Sequence, residues 1–357
     1  MMNITSEPIL QTLERWHTAL RTNRLQESEQ IHKEIKTELK EIQNSTTQLY
    51  YQLLNSRYLI LQRDFTAAHA ILDNLSDIHL NRADIYGYYI NLISGILLTL
   101  EEDYELAETR FIRAYQLLNN VTDETIRADF YYRASLMYYH IRQPLTVLNY
   151  ANEALRLLSE TEGYELFRSG CENIQGLASL SLKQYGKAEE HFLSALDLAK
   201  KVGEDKYNIL IKYNIGFLYA EQNMSELAIR YLLEVYNEED PYFRTHFLLT
   251  REYYRINDRE NAEFFYNKGI EIGSEEYKHH FEILRVLNNH VSEEEFEKIF
   301  KDGVHYFTQH ELHGFIEDYS GEFAQYFHNK EDHQKASQYF NMAYEAKKAL
   351  QKKEALR

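Results

Sequence analysis

One spacing recurs along this chain and narrows its possible folds more than any other feature. In GILLTLEEDYELAETRFIRAYQLL, Gly95 is followed by Ala107 twelve positions later, Phe111 four beyond that, and Ala114 three further on. Gly176, Ala188, Phe192 and Ala195 repeat the register, and so do Gly216, Ala228, Leu232 and Val235. Fainter copies run through Ser135, Val147, Ala151 and Ala154, and through Thr250, Ala262, Tyr266 and Gly269. Another occupies Ala324, Ala336, Phe340 and Ala343, while Ser56 with Ala68 opens the series and Leu287 with Ile299 reads as a degenerate member. The markers 68, 107, 147, 188, 228, 262, 299 and 336 are separated by steps of 34 to 41 residues. Two antiparallel helices approach closely only where a small residue sits at their crossing, and an aromatic one turn on fills the space beside it. Each such pair leaves an apolar face that only another pair can cover, so the units must stack. The expected fold class is all-α.

With 3 Pro and 13 Gly in 357 residues, the chain has few helix breakers. The spacing resembles the tetratricopeptide repeat, with steps near 40 running longer than the usual repeat. A right-handed superhelix of about seven helix pairs is the architecture this implies. The front of the chain reads differently. Ile9, Leu13, Trp16 and Leu20 form one apolar stripe, and Ile31, Ile35, Leu39 and Ile42 a second. A third begins near Thr47 and continues through Leu49, Leu53 and Ile60. Thr22-Asn23 and Asn44-Ser45-Thr46 supply turn and cap chemistry between them. Three helices on short loops imply a small antiparallel bundle. The expected division is a bundle over 1–65 and a repeat domain over 66–357.

The formal net charge of −17 opposes broad contact with nucleic-acid phosphates, which require a basic face. Lys347, Lys348, Lys352, Lys353 and Arg357 are explained by a solvated helix end. No apolar run approaches the roughly 20 residues of a membrane span, and the first residues show no secretory signal. A single cysteine, Cys171, fits a reducing compartment, so a cytoplasmic location is expected.

Catalytic motifs are scarce. Neither G-x-x-x-x-G-K nor G-x-G-x-x-G occurs. His310-Glu311-Leu312-His313 places its histidines three apart, where a zinc-protease helix needs four, and no metal site is expected. Cys171 has no basic neighbour to favour its thiolate and reads as packing. The 30 tyrosines suit wedges between helices, and also the lining of a groove for an extended peptide. Asparagine is a mediocre helix former yet offers the donor and acceptor that a peptide group requires. Asn173 and Asn214 stand just ahead of Gly176 and Gly216, with Asn149 and Asn152 in the preceding repeat. As a set they favour a peptide groove, with Asn149, Asn173, Tyr213 and Asn214 as candidate contacts.

LERWHTALRTNRLQESEQIHKEIKTEL followed by QLYYQLLNSRYLI is similar to the opening of Rap proteins of spore-forming Gram-positive bacteria. NYANEAL at 149–155 and YNIG at 213–216 resemble further segments, and the resemblance spans essentially the whole chain. It implies a quorum-sensing protein whose bundle binds a response regulator, either speeding hydrolysis of its aspartyl phosphate or blocking its DNA-binding domain. It also implies inhibition by a short Phr-type peptide in the repeat groove. The helix-turn-helix of related transcription factors is lacking at the front, which sets that branch aside. In phosphatase members a bundle glutamine ahead of the Tyr-Tyr pair positions the attacking water. The corresponding position here is Ser45, flanked by Gln43 and Gln48 as alternative candidates. Ser45, Tyr50 and Tyr51 fall on the regulator-binding segment that the resemblance implies. No cofactor of its own is implied, since the regulator would supply Mg²⁺ with its phospho-aspartate. Binding without catalysis, and a generic repeat scaffold, are the alternative readings.

Overall fold

The repeat spacing finds its physical cause at the helix crossings. The computed structural model describes residues 7–38, 45–79, 82–236 and 242–355, and its regular elements there are helical. The first three are α1 (Glu7–Arg21), α2 (Leu25–Glu38) and α3 (Ser45–Leu61). Helices then follow in antiparallel pairs: α4 (Phe65–His79) with α3, α5 (Ile85–Leu100) with α6 (Tyr104–Leu117), and α7 (Glu124–His140) with α8 (Pro144–Leu157). Next come α9 (Glu165–Ser181) with α10 (Tyr185–Val202), and α11 (Asp205–Glu221) with α12 (Ser225–Val235). Last are α13 (Phe243–Arg255) with α14 (Arg259–Ile272), α15 (Glu275–Asn288) with α16 (Glu293–Gln309), and α17 (His313–Asn329) with α18 (His333–Ala355). The chain divides into two compact units, residues 1–211 and 212–357.

In the first unit the small residues are small by necessity. A Cβ added at Gly95 would stand 3.1 Å from the Phe111 ring, and one at Gly176 would stand 2.5 Å from the Phe192 ring. Real contacts of a methyl carbon lie near 3.5–4 Å, so neither position admits alanine without displacing a buried phenyl. Ser135, Val147, Ala151 and Ala154 are wholly buried in the α7–α8 pair, and Ser56 and Ala68 in the α3–α4 pair. The turn inside each pair is also repeated. Arg63, Glu102, Arg142 and Lys183 all adopt the left-handed backbone conformation with φ near +60°, although none is glycine. Such a residue costs roughly 1 kcal/mol, and after Arg63 and Glu102 an aspartate cap at the next position helps offset it. Asp64 accepts from the Ala67 amide and Asp103 from the Leu106 amide.

The bundle has its own core, in which Ile9, Leu13, Trp16, Ala19 and Leu20 of α1 meet Ile31 and Ile35 of α2. Leu39 and Ile42 lie outside the described residues. Helix α3 serves two cores at once: Leu54 and Tyr58 face the bundle, while Leu49, Leu53 and Ile60 pack with the repeats. That double duty explains why its apolar residues are spread around the helix rather than gathered in one stripe.

The second unit keeps the crossing rule at first and then changes it. A Cβ at Gly216 would stand 2.8 Å from Leu232 of its partner helix, and between successive pairs one at Gly269 of α14 would collide with the Phe281 ring of α15. At α15–α16 the expected register through Leu287 and Ile299 is corrected. Both are only half-buried, and the buried set is Leu284, Phe296, Phe300 and Gly303, three positions earlier. Here a phenylalanine stands where the other pairs carry a small residue, and the glycine has moved to the last position of the motif. Phe340 is likewise 49% exposed rather than interior. Tyr339, one position before it, takes the inner place beside Phe300 and Phe327, with ring centroids 5.0 and 5.4 Å away.

Candidate functional site

The segment singled out for regulator binding begins helix α3. Ser45 and Gln48 are exposed in its first turn, three residues apart and therefore on one face. Gln43 lies outside the described residues. Tyr50 and Tyr51 are half-buried and tie that face to the bundle. The Tyr51 ring stacks on Trp16 at 5.9 Å, and the Tyr50 hydroxyl meets His17 Nδ1 at 3.0 Å. Trp16, wholly buried, donates from Nε1 to Ser28 Oγ at 3.0 Å and stacks against His32 at 5.2 Å. The α3 surface thus rests on a fixed aromatic base.

Beneath it lies a buried charge network that the sequence reading missed. Arg57 of α3 donates twice to the carboxylate of Asp129 on α7, at 2.6 and 2.8 Å. Both side chains are almost completely excluded from water. Arg133 donates from Nε to the same carboxylate at 3.2 Å and reaches Asn23 Oδ1 at 3.4 Å. Asn23, in the α1–α2 turn, donates to the Tyr207 hydroxyl at 3.3 Å. Arg21 donates to Thr125 Oγ1 at 2.6 Å, and Arg24 to the Gly163 carbonyl at 3.0 Å. Burial alone would raise the Asp129 carboxyl, but Arg57, then Arg133 and Arg21, hold it well below the usual carboxylate range. Burial also drives the His17 imidazole well below its ordinary value, and the nearby Arg21 and Arg57 charges push the same way. The bundle is therefore fastened to the repeats by bidentate, charge-assisted bonds, which need one geometry to be satisfied. A signal was present in the sequence: an arginine inside the apolar run LLNSRYLIL, and an aspartate inside ADFYYR.

The candidate peptide contacts occupy several helices. Asn173 of α9 is half-buried, as is Tyr213 of α11. The two occupy the same register position, three residues ahead of Gly176 and Gly216. Asn214 is buried at 6% exposure. Asn149 is exposed on α8, the second helix of its pair, while the other three stand on first helices. Asn152, its neighbour on α8, accepts from Gln175 Nε2 at 2.6 Å and so links α8 to α9. Tyr213 packs edge-on against Tyr242 at 5.8 Å, and burial raises its phenol well above the ordinary value. Cys171 is buried and its thiol is pushed up, which suits packing rather than nucleophilic chemistry. Among the described residues no cluster of ligating side chains could hold a metal ion.

Sequence reasoning also missed a cavity of about 540 Å³ in the second unit, walled by α13, α15 and α17. Its polar lining includes Arg251 and Arg255 on α13 and Asp318 and Glu322 on α17, each pair spaced i, i+4. Such spacing puts both members of a pair on one helix face.

Comparison with known proteins gives this geometry a setting. Residues 3–63 match the family described as "response regulator aspartate phosphatase H, N terminal". Across 366 aligned residues the chain is 26% identical to response regulator aspartate phosphatase I of Bacillus subtilis strain 168, covering 98% of this chain and 93% of that protein. The crystal structure of the apo form of RapI is similar with a TM-score of 0.73 at 25% identity, over 96% of this chain and 98% of that one. A Rap protein complexed with competence and sporulation factor shares the fold with a TM-score of 0.80 at 22% identity, over 97% and 99% of the two chains.

Proposed function

We propose that this chain is a quorum-sensing regulator of the Rap type, whose bundle engages a response regulator and whose repeats bind a short signalling peptide. One observation carries the reading. The family match falls on the bundle, and there the first turn of α3 presents Ser45 and Gln48 outward over a rigid aromatic base. Tyr50 and Tyr51 complete that regulator-facing segment. For hydrolysis of an aspartyl phosphate, an amide must accept from the attacking water while donating elsewhere. Gln48 is the described residue with that chemistry, and Gln43 is its rival. The regulator contributes the phospho-aspartate and Mg²⁺, so this chain needs no cofactor of its own.

Peptide binding is assigned to Asn149, Asn173, Tyr213 and Asn214. Inhibition follows if the peptide favours an arrangement of the repeats in which the bundle surface is no longer competent. The Arg57–Asp129–Arg133 network then supplies the coupling inside the first unit, because it fastens α3 to α7. Such coupling is reciprocal: bound regulator must weaken the peptide by the same factor. No helix among the described residues is long and apolar enough to cross a membrane. A cytoplasmic location goes with the reading as a regulator of this kind, and the net charge of −17 favours protein partners over nucleic acid.

A second reading, regulator binding without hydrolysis, is favoured by Ser45 at the position where the family resemblance implies a glutamine. A phosphate-release time course on phosphorylated response regulators separates the two. Acceleration that Gln48→Ala or Gln43→Ala abolishes establishes the phosphatase. Binding with unchanged phosphate lifetime establishes sequestration, and absence of any regulator binding defeats both.

A further inference from the structure

A smaller cavity lies in the first unit, and none of the residues assigned to regulator or peptide binding lines it. Helices α6, α7 and α8 supply its walls, which are mostly aromatic, and its volume is about 160 Å³. An apolar cavity of about 150 Å³ accommodates benzene, so this one has room for a group of roughly that size. Phe130, only 1% exposed, stands between two tyrosines, its ring centroid 5.9 Å from Tyr115 and 6.4 Å from Tyr150. Tyr138 continues the series 5.4 Å from Tyr150. These three contacts are inclined by 31°, 66° and 51°, so the rings frame a hollow instead of closing into a stack. Ile112 and Tyr115, three apart on α6, are about half exposed and border the opening.

The charge beside the rings is negative and lacks a counter-ion. Glu108 shares the face of α6 with Ile112 and Tyr115, which follow it by four and seven positions. Its carboxylate takes a hydrogen bond from the Tyr138 hydroxyl, and its charge reaches Tyr150 as well. Among the described residues Glu108 makes no ion pair. Glu153 of α8 is different, since Arg156 holds it at 2.8 and 2.7 Å. The cations nearby are turned elsewhere: Arg113 donates to Gln116 at 2.9 Å, and Arg127 acts on Tyr131 and Glu153. Among the described residues no lysine or arginine lies over Tyr115, Phe130, Tyr138 or Tyr150, although Arg133 covers Tyr132 at 5.4 Å. Ring faces attract a cation within about 6 Å of their centroids. A primary ammonium would bring three N–H donors into this wall of rings, whereas a quaternary ammonium has none to satisfy.

We infer that this cavity binds a small organic cation bearing a quaternary ammonium group, with the rings of Tyr115, Phe130 and Tyr150 around the charge and Glu108 as its counter-ion. The site is separate from the bundle surface and from the candidate peptide contacts, so it stands or falls independently of both.

The test uses the intact chain and isothermal titration with choline against 3,3-dimethyl-1-butanol, in which carbon replaces the charged nitrogen, at matched ionic strength. Choline is expected to bind at least about ten-fold more tightly, a factor within reach of a desolvated cation over aromatic faces. Tyr115→Leu and Glu108→Gln should each erase most of that preference, while Tyr115→Phe, which keeps the ring, should retain it. Tyr115 is 51% exposed, so Tyr115→Leu should leave the urea midpoint unchanged, which separates loss of the ligand from loss of the fold. Equal binding of the two compounds, binding of neither, or a preference that survives both substitutions overturns the inference. Ethanolamine binding as tightly as choline overturns the quaternary assignment. None of these outcomes alters the reading of the bundle or of the peptide groove.

Discussion

The two units solve one packing problem by opposite means. In the first, a glycine or alanine on one helix receives a phenylalanine from its partner, as Gly95 receives Phe111 and Gly176 receives Phe192. In the α15–α16 pair of the second the roles are exchanged, and Gly303 of the second helix receives the end of Ile283 from the first. The first arrangement brings backbones close and leaves little tolerance. The second sets its glycine against the far end of a flexible isoleucine side chain, which can give way. A helix repeat therefore does not need one fixed crossing residue. It needs complementary volumes, and evolution can put the bulk on either helix. The first unit also holds the fully buried ion pair between Arg57 and Asp129, which must be satisfied in one geometry only.

The largest effect that would test this contrast comes from that ion pair. Asp129→Ala leaves Arg57 buried without its counter-charge and should cost about 3–5 kcal/mol. Because Trp16 is the only tryptophan, its fluorescence during urea unfolding reports the bundle directly. A loss below about 1 kcal/mol would mean that the pair is not what fastens it. Next in size, Gly176→Ala should destabilise by about 1–3 kcal/mol, since the ring of Phe192 must move. Gly303→Ala meets only Ile283 Cδ1 at 2.8 Å, the far end of a flexible chain, and should cost clearly less. Equal losses in urea midpoint would erase the distinction drawn between the units.

A smaller effect is pH-dependent. His17 has a folded-state value well below its ordinary one, so the unfolded chain takes up a proton first as the pH falls. Stability should therefore decline below about pH 6.5, by up to about 1.4 kcal/mol per pH unit for this group. His32 and His140 are lowered by burial as well and add to the slope. His17→Gln should flatten the Trp16-detected slope between pH 7 and pH 5.5, and an unchanged slope would assign it to the other histidines. Smallest of all, Gly321→Ala adds a methyl inside α17 where nothing stands within 4 Å. It should stabilise by about 0.5–1 kcal/mol through helix propensity alone, visible as a raised thermal midpoint.

Much of this molecule was legible along the chain. The Gly95–Ala107–Phe111–Ala114 spacing predicts helix pairs because a 3.6-residue period makes local sequence and local packing the same statement. The apolar stripes through Trp16 and Ile31 announce the bundle for the same reason. Register failed where bulk moved to the other helix, at Phe296 and Gly303, since a search for small residues at fixed positions cannot see a crossing whose glycine stands at the end of the motif. Of the candidate site, the exposure of Ser45 and Gln48 is consistent with their place in the first turn of α3, while Gln43 lies outside what is described.

What the sequence determined by itself was every property that repeats within one or two helical turns: the helix pairs and the apolar stripes of the front helices. Only the tertiary structure decided which charges meet. Arg57 and Asp129 stand 72 residues apart, and the cavity draws Arg251, His280 and Glu322 from three helices. Nothing in local periodicity encodes such encounters, because Coulombic and hydrogen-bonding partners are set by distance in space, and the stacking of the pairs fixes that distance only once the whole unit has formed.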